Sequence, residues 1–185
     1  MTLKNLEKNC KGITLLEILV AISISSIVLI GAIGLFISLI KNQQTLLNKA
    51  YVLNTLSYST EYMSKAIRMA QKDKGGTCLD NSMENFNSTG DSIKFLNYNN
   101  ECQRFFLDSG VLKVSKKISG VDIAQALTPA NITIESLNFV LAGQSQDDNL
   151  QPKISFSLKA RVQSSSIPSF LIQTTISQRM LDIAY

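Results

Sequence analysis

From Ile13 to Ile40 the chain runs for 28 residues with a single charged side chain, Glu17. As a helix rising about 1.5 Å per residue, the run is about 42 Å long, more than the ~30 Å hydrocarbon core of a bilayer. A lone carboxylate near the start of such a run costs about 2.5–3.5 kcal/mol on insertion scales, so Glu17 is a functional-site candidate by default. The stretch before it is short and basic, with Lys4, Lys8 and Lys11 against Glu7.

A secretory signal has an apolar core of about 7–15 residues and a small-residue cleavage site. Here the run is about twice that length and ends in Lys41-Asn42-Gln43-Gln44, with no A-x-A pattern. The plain alternative is an uncleaved signal anchor, a single membrane helix whose lysines hold its amino end in the cytoplasm. That reading fits length and orientation but explains neither Glu17 nor the glycine, Gly12, where the apolar run begins.

Past Ile40 the helical period continues. Leu46, Ala50, Leu53, Leu56, Met63, Ile67 and Ala70 recur at spacings of three or four, with Thr60 filling the gap. This predicts one helix from about Thr14 to Gln71, broken at Lys74-Gly75-Gly76. From Cys78 on the signal is strand-like. Ser92–Leu96 and Arg104–Leu107 are short apolar runs, and Asp108-Ser109-Gly110 turns the chain into Val111–Val114, a hairpin. Ile132–Leu141 is a longer run, Ile154–Val162 alternates cleanly, and Ile172–Gln178 alternates more weakly. Polar loops fall at 144–149 and 164–166. The expected fold is α+β: a long amino-terminal helix, apolar all round in its first half and amphipathic in its second, packed on a carboxy-terminal antiparallel sheet.

The net charge is +4, and 15 basic residues stand against 13 acidic ones once the first twelve residues are set aside. That balance does not argue for nucleic acid. The chain has no histidine, the commonest general base and metal ligand, so enzymatic chemistry is disfavoured and no cofactor or small-molecule substrate is expected. Asp147-Asp148-Asn149 offers oxygen atoms to calcium but reads first as a solvated hairpin tip, and no metal is expected. Lys113, Lys116 and Lys117 lack the aromatic interleaving of a nucleic-acid surface and read as a solvated strand face.

The string Lys11-Gly12-Ile13-Thr14-Leu15-Leu16-Glu17 with its membrane-length helix resembles the class III prepilin signal of type IV pilins and type II secretion pseudopilins. Ile13 departs from the family's usual phenylalanine. The resemblance implies a pilin-like fold divided into a leader (1–12), a transmembrane or filament-core helix (13–40), an amphipathic half-helix (41–74) and a globular sheet domain (75–185). It implies cleavage after Gly12 by a prepilin peptidase, N-methylation of Ile13, and pairing of the new Ile13 ammonium with Glu17 of a neighbouring subunit. Glycine, lacking a side chain, lets backbone approach a protease's catalytic groups closely. An unpaired buried carboxylate would cost several kcal/mol. Gly31 and Gly34, with Ser23, Ser25 and Ser26, fit either close helix approach or, by resemblance, a weak spot that melts in the filament.

Cys10 would leave with the leader, and Cys78 and Cys102 remain in a region outside the cytoplasm. A disulfide between them would close a 25-residue loop, worth about 3.5 kcal/mol on the chain-entropy model; two free thiols are the alternative. Ala66–Ala70, Gly75–Cys78 and the closing Ile172–Arg179 look similar to minor pilins and J-type pseudopilins. The function implied is a minor structural subunit acting in initiation or at the tip of a pilus or pseudopilus. Its partners would be other pilins or pseudopilins, the inner-membrane assembly platform with its ATPase, and membrane lipid before assembly. It would sit in the bacterial inner membrane with the globular part outside the cytoplasm, then in the filament. The alternative is an uncleaved, membrane-anchored binding module.

Overall fold

A computed structural model describes residues 12–80, 83–145, 150–163 and 168–179. Helix α1 (Leu15–Arg68) is followed by strands β1 (Phe86–Ser88), β2 (Ser92–Leu96), β3 (Cys102–Asp108), β4 (Val111–Ile118), β5 (Val121–Ala126), β6 (Ile132–Ala142), β7 (Lys153–Val162) and β8 (Phe170–Ser177). The chain divides into two compact units, Met1–Leu46 and Leu47–Tyr185. The fold is α+β, one long helix with antiparallel sheet, in keeping with a pilin-like arrangement.

The sheet is split, where the sequence led us to expect one. Strands β1 to β5 form a five-stranded antiparallel meander, and β6, β7 and β8 form a second sheet of three. The join is made by two backbone bonds: Ile134 N donates to Gly110 O at 2.8 Å, and Phe139 N donates to Gly90 O at 2.7 Å. Gly90 and Gly110 are the tips of the β1–β2 and β3–β4 turns, so β6 crosses the turns of the first sheet. Gly110 has φ +78°, which strains any residue with a side chain, and a Cβ there would lie a tight 3.2 Å from Thr133 Cγ2.

Two Ser-Gly pairs set the meander. Ser109 (φ 52°) and Gly110 connect β3 to β4, and Ser119 (φ 51°) and Gly120 (φ 85°) connect β4 to β5. Both central residues of each loop have positive φ, as two-residue type I′ hairpins require. The first was expected; the second, carrying the same signature, was missed along with β5.

In β6 a one-residue irregularity between Ile134 and Ser136 resets the alternation. Ile132 and Ile134 before it, and Leu137 and Phe139 after it, all face the core as a result. Glu135, at the bulge, is bound by Lys159 at 3.0 Å and Arg161 at 3.1 Å.

One core serves the globular unit. Val52, Leu56, Met63 and Ile67 of α1 pack with Phe95 and Phe105 of the first sheet and Phe139 and Phe156 of the second. Tyr62 meets Phe105 edge-on, ring centroids 6.0 Å apart. The buried stripe of α1 is therefore Val52, Leu56, Ser59, Met63, Ile67. Leu46, Ala50 and Leu53, expected in it, are exposed, and Thr60 is only half-buried. Two neighbouring stripes share Leu56, Met63 and Ile67, and the one through Val52 and Ser59 is the one the sheets cover.

The helix ends at Arg68, short of Gln71, because the chain turns to pair with β2: Gln71 N donates to Leu96 O at 2.9 Å. Its last carbonyls are met by the end of β8. Arg179 N donates to Arg68 O at 2.9 Å, and Gln178 Nε2 donates to Ala70 O at 2.9 Å. Two of the three stretches that look similar to minor pilins, Ala66–Ala70 and Ile172–Arg179, thus meet at one place.

Candidate functional site

Gly12, Ile13 and Thr14 precede α1 and are exposed. Thr14 is the helix cap: its carbonyl accepts from Glu17 N at 3.1 Å and Ile18 N at 3.3 Å, and its hydroxyl also accepts from Glu17 N, at 3.3 Å. Thr14-Leu15-Leu16-Glu17 has the threonine and glutamate spacing of a capping box, a signal present in the sequence that our reading passed over. The cap, two residues after Gly12, fixes the start of the helix at Leu15. Glu17 thereby falls in the first turn, where a negative charge opposes the positive end of the helix dipole. Among the described residues its carboxylate has no ion-pair partner.

Every residue from Gly12 to Ile40 is exposed, including Ile13, 70% accessible. An apolar helix that buries nothing within its own chain needs lipid or other helices around it. Ser23 and Ser26 donate their hydroxyls to the carbonyls of Leu19 and Ile22, each at 2.8 Å, so these polar groups need no outside partner. A Cβ at Gly12, Gly31 or Gly34 would meet nothing within 4 Å. Nothing in this chain explains those glycines. Helix α1 runs unbroken through Gly31 and Gly34.

In the globular unit, Cys78 and Cys102 are joined by a disulfide with Cα atoms 5.1 Å apart. The loop carrying Cys78 is organised by Asp73, a residue the sequence reading missed. Asp73 is 1% exposed. Its Oδ1 accepts from Thr77 N at 3.1 Å and Thr77 Oγ1 at 3.2 Å, and its Oδ2 from Cys78 N at 2.7 Å and Leu79 N at 2.8 Å. Burial by itself would raise this carboxyl, but the N–H groups of Leu79, Cys78 and Thr77 and the Thr77 hydroxyl hold it below its ordinary value.

The lysines of β4 do not make one patch. Alternation along the strand puts Lys113 and Lys117 on one face and Lys116 on the other, and Lys113 is bound to Asp108 at 2.6 Å. Lys113 and Ser109 hold the Asp108 carboxyl below its usual range. Asp147, Asp148 and Asn149 lie outside the described residues. Among the described residues no three His, Cys, Asp or Glu side chains are placed to hold a metal ion.

Residues 8–33 match the family model of the prokaryotic N-terminal methylation motif. No curated protein and no solved structure matches the chain. The matched segment contains Gly12, Ile13, the Thr14 cap, Glu17 and the exposed apolar run as far as Ile33. The chain therefore carries the class III prepilin signal of type IV pilins and pseudopilins, followed by an apolar membrane-length helix.

Proposed function

We propose that this protein is a minor structural subunit of a type IV pilus or type II secretion pseudopilus, acting in initiation or at the tip. It has no enzymatic role in this reading. A prepilin peptidase cuts between Gly12 and Ile13 at the cytoplasmic face and methylates Ile13. The subunit waits in the inner membrane, single-pass, with its globular unit outside the cytoplasm, until the assembly platform and its ATPase move it into a filament beside other pilins or pseudopilins.

The observation that carries this is the motif match over residues 8–33, in a stretch whose residues from Gly12 to Ile40 are all exposed. Cleavage would leave an ammonium at Ile13, one residue before the cap, at the positive end of α1 where a further positive charge is unfavourable. Glu17 of a neighbouring subunit offsets that charge, and the ammonium offsets the carboxylate. Such a contact uses two different surfaces of one subunit, so it propagates into an open filament instead of closing a dimer.

Glu17→Gln isolates the charge, since glutamine keeps the size of the side chain and the capping-box spacing with Thr14 but carries no charge. Losing one partner of a buried pair costs about 3–5 kcal/mol, which at 1.4 kcal/mol per decade is a fall in incorporation of roughly a hundredfold or more. The expected result is normal cleavage with incorporation into sheared filaments largely lost. Normal incorporation of Glu17→Gln would sink the pairing mechanism.

A further inference from the structure

The amide of Gln103 on β3 is 3% exposed, and its Nε2 has no hydrogen-bond partner. Its orientation follows from its neighbours. Asn97 Oδ1 accepts from Asn99 N at 2.9 Å and Glu101 N at 3.0 Å, so the Asn97 amide cannot be turned round. Asn97 Nδ2 then donates to Glu101 Oε2 at 3.0 Å and to Gln103 Oε1 at 3.2 Å, which leaves Gln103 Nε2 as the unused end. A buried donor without a partner costs free energy and calls for an explanation.

Gln103 lines a groove of about 430 Å³ between α1 and the first sheet. Tyr62 and Ala66 of α1, with Met69 just past its end, form one wall, and Lys65 and Lys116 also line the groove. Lys116 is the cross-strand partner of Gln103, so a donor and a cation stand side by side. Neither lysine has an ion-pair partner among the described residues. Nε2 is covered, and a rim side chain such as Lys116 would have to move for a ligand to reach it.

A second hollow of about 210 Å³, lined by Tyr58, Glu61, Tyr62 and Lys65, shares Tyr62 and Lys65 with the first. From Tyr58 to Met69 the helix advances about 16 Å, room for about five residues of extended chain. Tyr58 is 62% exposed and Tyr98, on the sheet side, 60%. Exposed tyrosines of this kind are enriched at recognition surfaces. The charge is polarised, with Glu61 at one end and Lys116 with Gln103 at the other.

We infer that this groove binds the carboxy-terminal tail of a partner protein, its terminal carboxylate on Gln103 Nε2 and Lys116 and an apolar last side chain against Tyr62, Ala66 and Met69. The elongated shape favours an extended peptide over a compact acid, and the two cations with the orphan donor select an anionic end. This inference stands on the globular unit alone and does not require the filament reading.

The test titrates the full-length chain in detergent micelles with acetyl-pentapeptides ending in Leu-Phe, either as the free acid or as the amide, following the Gln103 side-chain amide signals by NMR. The expected result is saturable binding of the free acid, with the amide at least tenfold weaker, since a charge-assisted bond is lost. Lys116→Gln, a change on the rim, is expected to weaken the acid about tenfold and leave the amide peptide unchanged. Gln103→Met is expected to move the signals of Asn97 and to lose the acid. Should Gln103→Met fail to fold, Lys116→Gln decides alone. No saturation by either peptide, equal binding of acid and amide, or equal binding of 3-phenylpropionate would each overturn the inference.

Discussion

Asp73 is the point at which the loop after α1 is held, and its replacement by asparagine can be worked through atom by atom. The carboxylate accepts four hydrogen bonds while 1% exposed. Asparagine keeps the shape but loses one acceptor and the charge. Placing Nδ2 where Oδ2 stands would set it against two buried N–H groups, Cys78 and Leu79. Placing it where Oδ1 stands opposes Thr77, an exposed residue whose hydroxyl can turn and whose bond to Asp73 is only part-buried. The second arrangement is the cheaper one. It still weakens the bonds to Cys78 and Leu79 from charged to neutral, and the total is about 2–3 kcal/mol. For a chain of this size that is a fall in Tm of roughly 5–10 °C.

The pH dependence supplies an independent check. Because the folded carboxyl lies below its ordinary value, its contribution is complete above about pH 4 and is lost as pH falls through the folded value. The gap between wild type and Asp73→Asn should stay constant from pH 5 to 8 and narrow below pH 4. Thermal unfolding followed by circular dichroism, with the disulfide intact, measures both. A difference under about 0.5 kcal/mol at pH 7, or a gap that widens in acid, would refute the reasoning.

Two other substitutions probe the same unit. Replacing Cys78 and Cys102 by serine should cost about 2–4 kcal/mol in denaturant unfolding, and less than additively with Asp73→Asn because Cys78 N sits 2.7 Å from that carboxylate. Leu56→Ala should cost about 2–5 kcal/mol, whereas Leu53→Ala in the isolated subunit should change stability by less than about 0.5 kcal/mol; the reverse order would mean the other stripe is covered.

These contrasts mark where the sequence was legible. A membrane-length helix with one carboxylate is visible by counting, because hydrocarbon thickness sets the length and charge is so costly there. Strand β7 was readable for a similar reason: one face is buried along its whole length, and Ile154, Phe156, Leu158 and Ala160 keep strict alternation. Strand β5 was not, since all six of its residues are exposed and no burial pattern is imposed on it. Only its Ser119-Gly120 turn gave it away. The stripe of α1 was misassigned toward Leu46, Ala50 and Leu53 because two neighbouring stripes share Leu56, Met63 and Ile67, and periodicity does not say which of them the sheets cover. Asp73 was invisible because its partners are backbone N–H groups, which leave no mark in the side-chain pattern. Thr14 was legible and overlooked, its Thr-x-x-Glu signal lying inside a string already assigned to processing.

The central claim is that Gly12 and Ile13 form a processing site and that Glu17 acts after cleavage. Intact mass and amino-terminal sequencing of the protein from native membranes test it most directly. The account predicts a chain that starts at Ile13 and is about 14 Da heavier than its unmodified mass, from one methyl group. A chain that starts at Met1 in cells with an active prepilin peptidase would contradict it, leaving α1 a plain anchor and Glu17 only an acidic residue in its first turn.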